Sequence, residues 1–282
     1  MKKLFTYLGI STLACISFII TEKTALVVKE NDELMQEIKK NQENYNQEPI
    51  PAIINEETMI PGINGKKIDI EKTYEEMKKI GTFNDKYLIY KTLPPSISYK
   101  NHYDKYIISG NPKKNMISLL FMVYEKDNIT KIIDILKENK ATFFVDGKWF
   151  EQNNELAIEL IKQGHTIGNL SYNMNYGNTD YIWINNILKK IGKQKQGYCY
   201  YTDNQDNLKA CQLQQNYTIK PSIIIENSPL TQIKKNITSG SIISLKINEE
   251  TIKELPLIIT YIKQKGYQID TLTNHLNEEN EI

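Results

Sequence analysis

Histidine and cysteine are both scarce, three of each in 282 residues. The cysteines, Cys15, Cys199 and Cys211, form no Cys-x-x-Cys pair and no disulfide framework. Cys199 and Cys211 are free to bond to each other if the domain is exported, and spacing alone does not decide it. The histidines, His102, His165 and His275, leave little imidazole for metal binding or acid–base work. Net charge is also lacking: 35 basic residues stand against 34 acidic ones. Nothing in that balance suggests a face for nucleic acid or for an anionic membrane, so a nucleic-acid partner is not expected.

Charge is absent as well from residues 4–21, LFTYLGISTLACISFIIT, which lie between Lys2-Lys3 and Glu22-Lys23. Basic residues ahead of an apolar run keep the N-terminus inside and send the rest of the chain outside. The run is of spanning length, which begins at roughly 17 residues, and no small-x-small cleavage site comes after it. Thr12-Leu13-Ala14-Cys15 is a poor lipobox. We therefore expect residues 1–22 to be an uncleaved signal anchor that partners the membrane through residues 4–21. The protein would then be single-pass in a bacterial cell membrane with its C-terminal domain outside; a cleaved, secreted form is the alternative.

Residues 29–47 turn polar, rich in Asn, Gln, Glu and Lys, a composition poorly suited to a core. Residues 23–58 are read as a polar stalk, partly helical near Leu34 and Ile38. Residues 59–114 form a small α+β extension: dense turn chemistry at 61–65, a helix over 70–80 capped by Asp69 and stopped by Gly81, and short strands at 87–90 and 106–108.

After Asn115 the period changes. Residues 117–123 are a continuous apolar run, as in a strand buried on both faces. A helix opens at Asn128, and further strands or helices occupy 141–145, 155–163, 165–169, 222–225, 240–247, 249–265 and 267–272. Strands alternating with helices imply parallel β/α units, with fewer strands visible than a closed eightfold barrel needs. Residues 115–273 are taken as the main domain and 274–282 as a polar tail.

Three segments of that domain resemble the polysaccharide deacetylase (NodB, carbohydrate esterase 4) family. They are residues 131–149, KIIDILKENKATFFVDGKW; 163–173, QGHTIGNLSYN; and 239–272, SGSIISLKINEETIKELPLIITYIKQKGYQIDTL. The resemblance implies an α/β fold, an incomplete or distorted (β/α) barrel. It also implies a divalent metal such as zinc, held by one Asp and two His, that activates water against an acetamide, with a second Asp as base and a late His as acid.

The side chains for that chemistry are replaced. The family's Thr-Phe-Asp-Asp-Gly aligns with Leu120-Phe121-Met122-Val123-Tyr124. The two ligand histidines become Leu170 and Met174. Arg-Pro-Pro-Tyr-Gly falls near Gly197-Tyr198-Cys199-Tyr200-Tyr201, and Leu-His-Asp becomes Leu245-Lys246-Ile247. Met122, Val123, Leu170, Met174, Lys246 and Ile247 are thus former-site positions, and no catalytic residue, metal ligand or cofactor is assigned. Tyr124, Asn169, Asn173 and Tyr200 are expected to line the groove. His165 is read as structural, and Glu125 and Asp127 as solvated loop residues.

Together with the apolar run at residues 4–21, the resemblance then implies an inactive, membrane-anchored envelope protein that binds cell-wall glycan or an envelope protein. Between Tyr172 and Tyr201, the residues Tyr176, Tyr181, Trp183, Tyr198 and Tyr200 offer faces for sugar stacking. Two alternatives stay open. One is an active N-deacetylase with a relocated site around Glu125, Asp127, His165 and Asn169. The other is a purely structural or regulatory envelope protein.

Overall fold

The computed structural model describes residues 27–176, 179–192 and 196–279. The expected anchor and Cys15 lie outside them. Among the described residues no helix is long and apolar enough to cross a membrane. The strands in chain order are β1 (Ile53–Ile54), β2 (Thr58–Ile60), β3 (Gly65–Ile68), β4 (Tyr90–Leu93), β5 (Tyr106–Ile107), β6 (Met116–Val123), β7 (Thr142–Val145), β8 (Thr166–Asn169), β9 (Tyr198–Tyr200), β10 (Tyr217–Ile219), β11 (Ile223–Ile225), β12 (Ile242–Lys246) and β13 (Gln268–Ile269).

The chain divides into two compact units: Met1–Pro49 with Asn64–Pro94, and Ile50–Ile63 with Pro95–Ile282. In the smaller unit β3 and β4 pair antiparallel beside the helices Glu33–Tyr45 and Ile70–Met77. Asp69 caps the second helix as expected, its side chain accepting from the Lys72 N–H. The stretch read as a stalk is not wholly solvated. Met35 and Ile38 of the first helix are buried with Ile68, Tyr74 and Met77 in a core of their own. The strand expected at 87–90 starts only at Tyr90, because Asp85–Tyr87 close a 3-10 turn capped by Asn84.

The larger unit is one curled sheet, open like half a barrel, in the order β1-β2-β5-β10-β9-β8-β7-β6-β12-β11, with β13 pairing the start of β6. Every pairing from β2 onward is parallel, and only β1 with β2 is antiparallel. The segments 50–63 and 106–108, expected in the stalk and the extension, supply sheet strands here. The strand expected at 106–108 is β5, whereas β1 and β2 escape a periodicity reading because each is only two or three residues long. The terminal segment is also built in. Leu272–Leu276 is helical with His275 buried, and the Glu278 carboxylate accepts from Ser98 Oγ and the Tyr99 N–H.

Strand β6 explains the apolar run. Ile117, Leu119, Phe121 and Val123 pack toward Ile132, Leu136, Trp149, Ile258 and Ile262 of the covering helices. Leu120 and Met122 face the concave side with Phe144, Leu170 and Tyr200. Both faces are covered, so no polar alternation appears. The helix Asn154–Lys162 ends at Gly164, whose φ of +87° a Cβ would strain.

Candidate functional site

Parallel strands bring their C-terminal ends to one rim, and the former motif positions collect there. Met122 is in register with Phe144 of β7 and Lys246 of β12, and Asn169 of β8 with Val145 and Cys199. A cavity of about 250 Å³ opens on this rim, lined by Met122, Tyr124, Tyr200, Ile224, Ile225, Glu226, Ser244 and Lys246. Two of the four expected lining residues, Tyr124 and Tyr200, are in it. Asn169 and Asn173 are not. Asn169 is buried, its Oδ1 accepting from the Ser171 N–H and its Nδ2 donating to the Tyr181 carbonyl. Asn173 projects outward and gives its N–H to Asp146. Ile224, Ile225, Glu226 and Ser244 were not foreseen. The runs Ile223–Ile225 and Ile242–Lys246 show no alternation in sequence, and nothing in them says which strands share a rim.

The concave floor is apolar. Leu170 is fully buried, and Met122, Tyr124 and Met174 pack half-buried against the same cluster. Val123 differs from its neighbours. It is fully buried, but among Phe121, Val145 and Trp149 on the helix side of the sheet. Residues adjacent along a strand point to opposite faces, so this position does not look into the groove. Ile247, half-buried, also packs against that helix-side core, while Lys246 is exposed.

The polar scaffold around the rim is intact. The buried Asp146 carboxylate accepts from the Lys148 N–H at 3.0 Å and the Asn173 N–H at 2.7 Å. It braces a loop in which Ser171, Asn173 and Met174 all have positive φ, between 49° and 57°. Non-glycine residues take that conformation seldom. Tyr176 Oη accepts from the Tyr200 N–H and donates to the Asn169 carbonyl, both at 3.0 Å. Tyr200 Oη donates to Ser244 Oγ at 2.8 Å. Burial raises the Tyr124 and Tyr200 phenols above their ordinary range, so both remain neutral donors at physiological pH. The Cys199–Cys211 pair, left open by the sequence, is a disulfide with its Cα atoms 6.4 Å apart.

The acids and histidine considered for a relocated site do not converge. His165 immediately precedes β8, where its Nδ1 accepts from the Ala141 N–H and its ring meets Phe143 edge-on. Burial pushes it down to about 4, so it is neutral. Asn169 lies at the other end of that strand, about 13 Å away at strand rise. Glu125 is exposed and pairs with Lys148 at 3.6 Å. Asp127 Oδ2 accepts from the Tyr124 N–H, closing the turn after β6.

The aromatic stretch is mostly core. Tyr176, Tyr181, Tyr198 and Tyr200 are buried, and Trp183, 48% exposed, lines a separate surface groove with Phe150 and Ile187. Those rings cannot stack on sugar together. The signal that misled is the tyrosine itself, whose hydroxyls here satisfy buried backbone groups.

The divalent metal implied by the resemblance does not fit this rim. Among the described residues no three His, Cys, Asp or Glu side chains stand close enough together to hold an ion. The nearest sulfurs, Met122 and Met174, are soft thioethers beside leucine.

Comparison with known proteins agrees with this geometry. The family model described as polysaccharide deacetylase matches residues 109–219. The uncharacterised protein YlxY of Bacillus subtilis (strain 168) is 27% identical over 294 residues, covering 90% of this chain and 87% of that one. The structure of wild-type BA3943, a CE4 family pseudoenzyme from Bacillus anthracis, is 27% identical with a TM-score of 0.65, covering 89% of this chain and 97% of that one. A BA3943 mutant described as having restored enzymatic activity matches with a TM-score of 0.66 at 26% identity, covering 89% of this chain and all of the other.

Proposed function

From the premise that the chain carries a polysaccharide deacetylase domain of the NodB, carbohydrate esterase 4 type, we propose that it is a non-catalytic member that binds cell-wall glycan in the old substrate groove, without metal, as a membrane-tethered envelope protein. The observation that carries this reading is the combination at the rim. The cavity persists, with Tyr124, Tyr200 and Ser244 in its lining, while the donor set for a metal is replaced by Met122, Leu170 and Met174. A half-buried tyrosine ring at a cavity wall offers the apolar face a pyranose needs and a neutral hydroxyl for its hydroxyls. The likeness to a pseudoenzyme over most of both chains supports the same reading. The tether rests on the apolar run at residues 4–21.

The test is calorimetric titration of the protein with N-acetylated chitin and peptidoglycan fragments. We expect saturable binding that Tyr124→Ala weakens about tenfold, in line with the loss of one well-packed aromatic contact. Equal, unsaturable heats for the native protein and Tyr124→Ala would remove the glycan reading.

A further inference from the structure

The disulfide sits where it can act on the groove. Cys199 belongs to β9, directly in register with Asn169 at the end of β8. Cys211 lies on the helix Gln205–Leu213, and it is that helix's one buried residue. The rest of the helix is exposed or half-buried, with Leu213 81% exposed. A helix that short, with a single buried position, has little packing of its own to hold it against the sheet.

The same helix reaches the rim through Asn207. Its Nδ2 donates to the Met174 carbonyl at 3.0 Å and to Thr202 Oγ1 at 2.7 Å, and its Oδ1 accepts from the Tyr176 N–H at 3.3 Å. Met174 and Tyr176 form one small core with Cys199 and Cys211. Met174 is also the residue whose left-handed backbone closes the braced loop after β8. The covalent bond therefore holds the helix, the helix holds the loop, and the loop carries Leu170 and Met174 onto the groove floor.

We propose that the Cys199–Cys211 disulfide is a redox-controlled latch on the loop bordering the groove, and that its partner is a protein or small molecule of the dithiol class. One thiolate of the reductant attacks a sulfur of the pair, forms a mixed disulfide and expels the other cysteine as a thiolate that takes up a proton. The second thiol of the reductant then displaces the first cysteine. Two electrons and two protons pass to this protein, and the reductant leaves as a disulfide. Both sulfurs are buried, so exchange requires the helix to lift, an opening that its single buried residue makes easy. Once reduced, the helix keeps the Asn207 bonds, the Asn216 N–H to the Cys211 carbonyl and the Lys189 ammonium on the Gln214 carbonyl at its C-cap, but it loses its covalent tie to β9. That this tunes ligand binding rests on the glycan reading of the groove; the latch itself does not.

The experiment is hydrogen exchange on the full chain in detergent micelles, before and after dithiothreitol, with thiol labelling to confirm that the pair has opened. Exchange in residues 170–176 and 205–213 should rise together by about tenfold or more, while β6 and β7 keep their protection. The double variant Cys199→Ser with Cys211→Ser should reproduce this without reductant. Asn207→Ala, with the disulfide intact, should free 170–176 and leave the rest of the helix protected. A rise confined to 205–213, no rise in either segment, or a rise spread over all strands would each overturn the latch. Glycan titration on the same samples separates the two claims. Coupled exchange without any glycan binding upholds the latch and removes the glycan reading, whereas binding that persists with uncoupled exchange does the reverse.

Discussion

Val123→Asp restores a carboxylate to a position where the family carries one, and the structure says it lands on the wrong side of the sheet. The side chain is fully buried among Phe121, Val145 and Trp149, whose indole N–H is already given to the Asp127 carbonyl. An aspartate there must stay protonated. Holding a carboxyl with an unfolded pKa of about 3.9 neutral at pH 7 costs about 1.36 kcal/mol per unit, or about 4 kcal/mol. Loss of the buried isopropyl group and burial of the neutral carboxyl add roughly 1–3 kcal/mol. The total, about 5–7 kcal/mol, is a large part of a typical domain's stability.

The sign is set by the raised folded pKa. The unfolded chain releases the proton above about pH 4 and the folded chain does not, so the ionisation penalty grows as pH rises and vanishes near pH 4. Urea denaturation of Val123→Asp and native protein side by side should show a gap that widens by about 4 kcal/mol from pH 4 to 7. Met122→Asp supplies the control. Met122 is half-buried toward the groove, in register with the exposed Lys246, and its replacement should cost about 1–2 kcal/mol with little pH dependence. Equal, pH-independent costs at the two positions would refute the assignment of Val123 to the helix side.

Acid should destabilise the protein through its histidines. Burial holds His275 down at about 3 and His165 at about 4, below the usual unfolded value, so the unfolded chain takes up protons first and stability falls as pH drops from about 6.5 toward 4. In that window His275→Gln should reduce the pH slope by about one proton, as read from urea midpoints; an unchanged slope would place the uptake elsewhere. Protease shaving of intact cells should degrade the domain beyond the tether, and a protected domain would overturn the proposed topology.

Much of this arrangement was legible in residues 115–273, because long buried strands and amphipathic helices write their period into the sequence. The apolar run of β6, the strand β7 and the helix Glu249–Gln264 all stand within two residues of where pattern reading places them. The former-site substitutions were equally plain. The features that stayed hidden are non-local. β1 and β2 are too short to show a period, and β5, expected as a strand, gives no sign that it joins the sheet through β10, which is far away in sequence. Helicity near Leu34 and Ile38 was expected, but not that the helix Glu33–Tyr45 packs, because only Met35 and Ile38 face a core. The opposite facing of Met122 and Val123 is a consequence of strand alternation, but a motif alignment treats the two as one site. Tyr176 and Tyr200 look like sugar platforms until their hydroxyls are seen bonding buried backbone and Ser244.

The proposed function has the domain keep its scaffold without a metal site, and zinc uptake tests that most directly. Equilibrium dialysis against zinc, read by elemental analysis, compares two proteins: the native chain and the variant Met122→Asp with Leu170→His and Met174→His. The native chain should retain well under a tenth of an equivalent, roughly background for a protein without a ligand set. The variant should take up about one equivalent and melt at a higher temperature with zinc than without it. About one equivalent of zinc held by the native chain after dialysis would contradict the loss of the metal site outright.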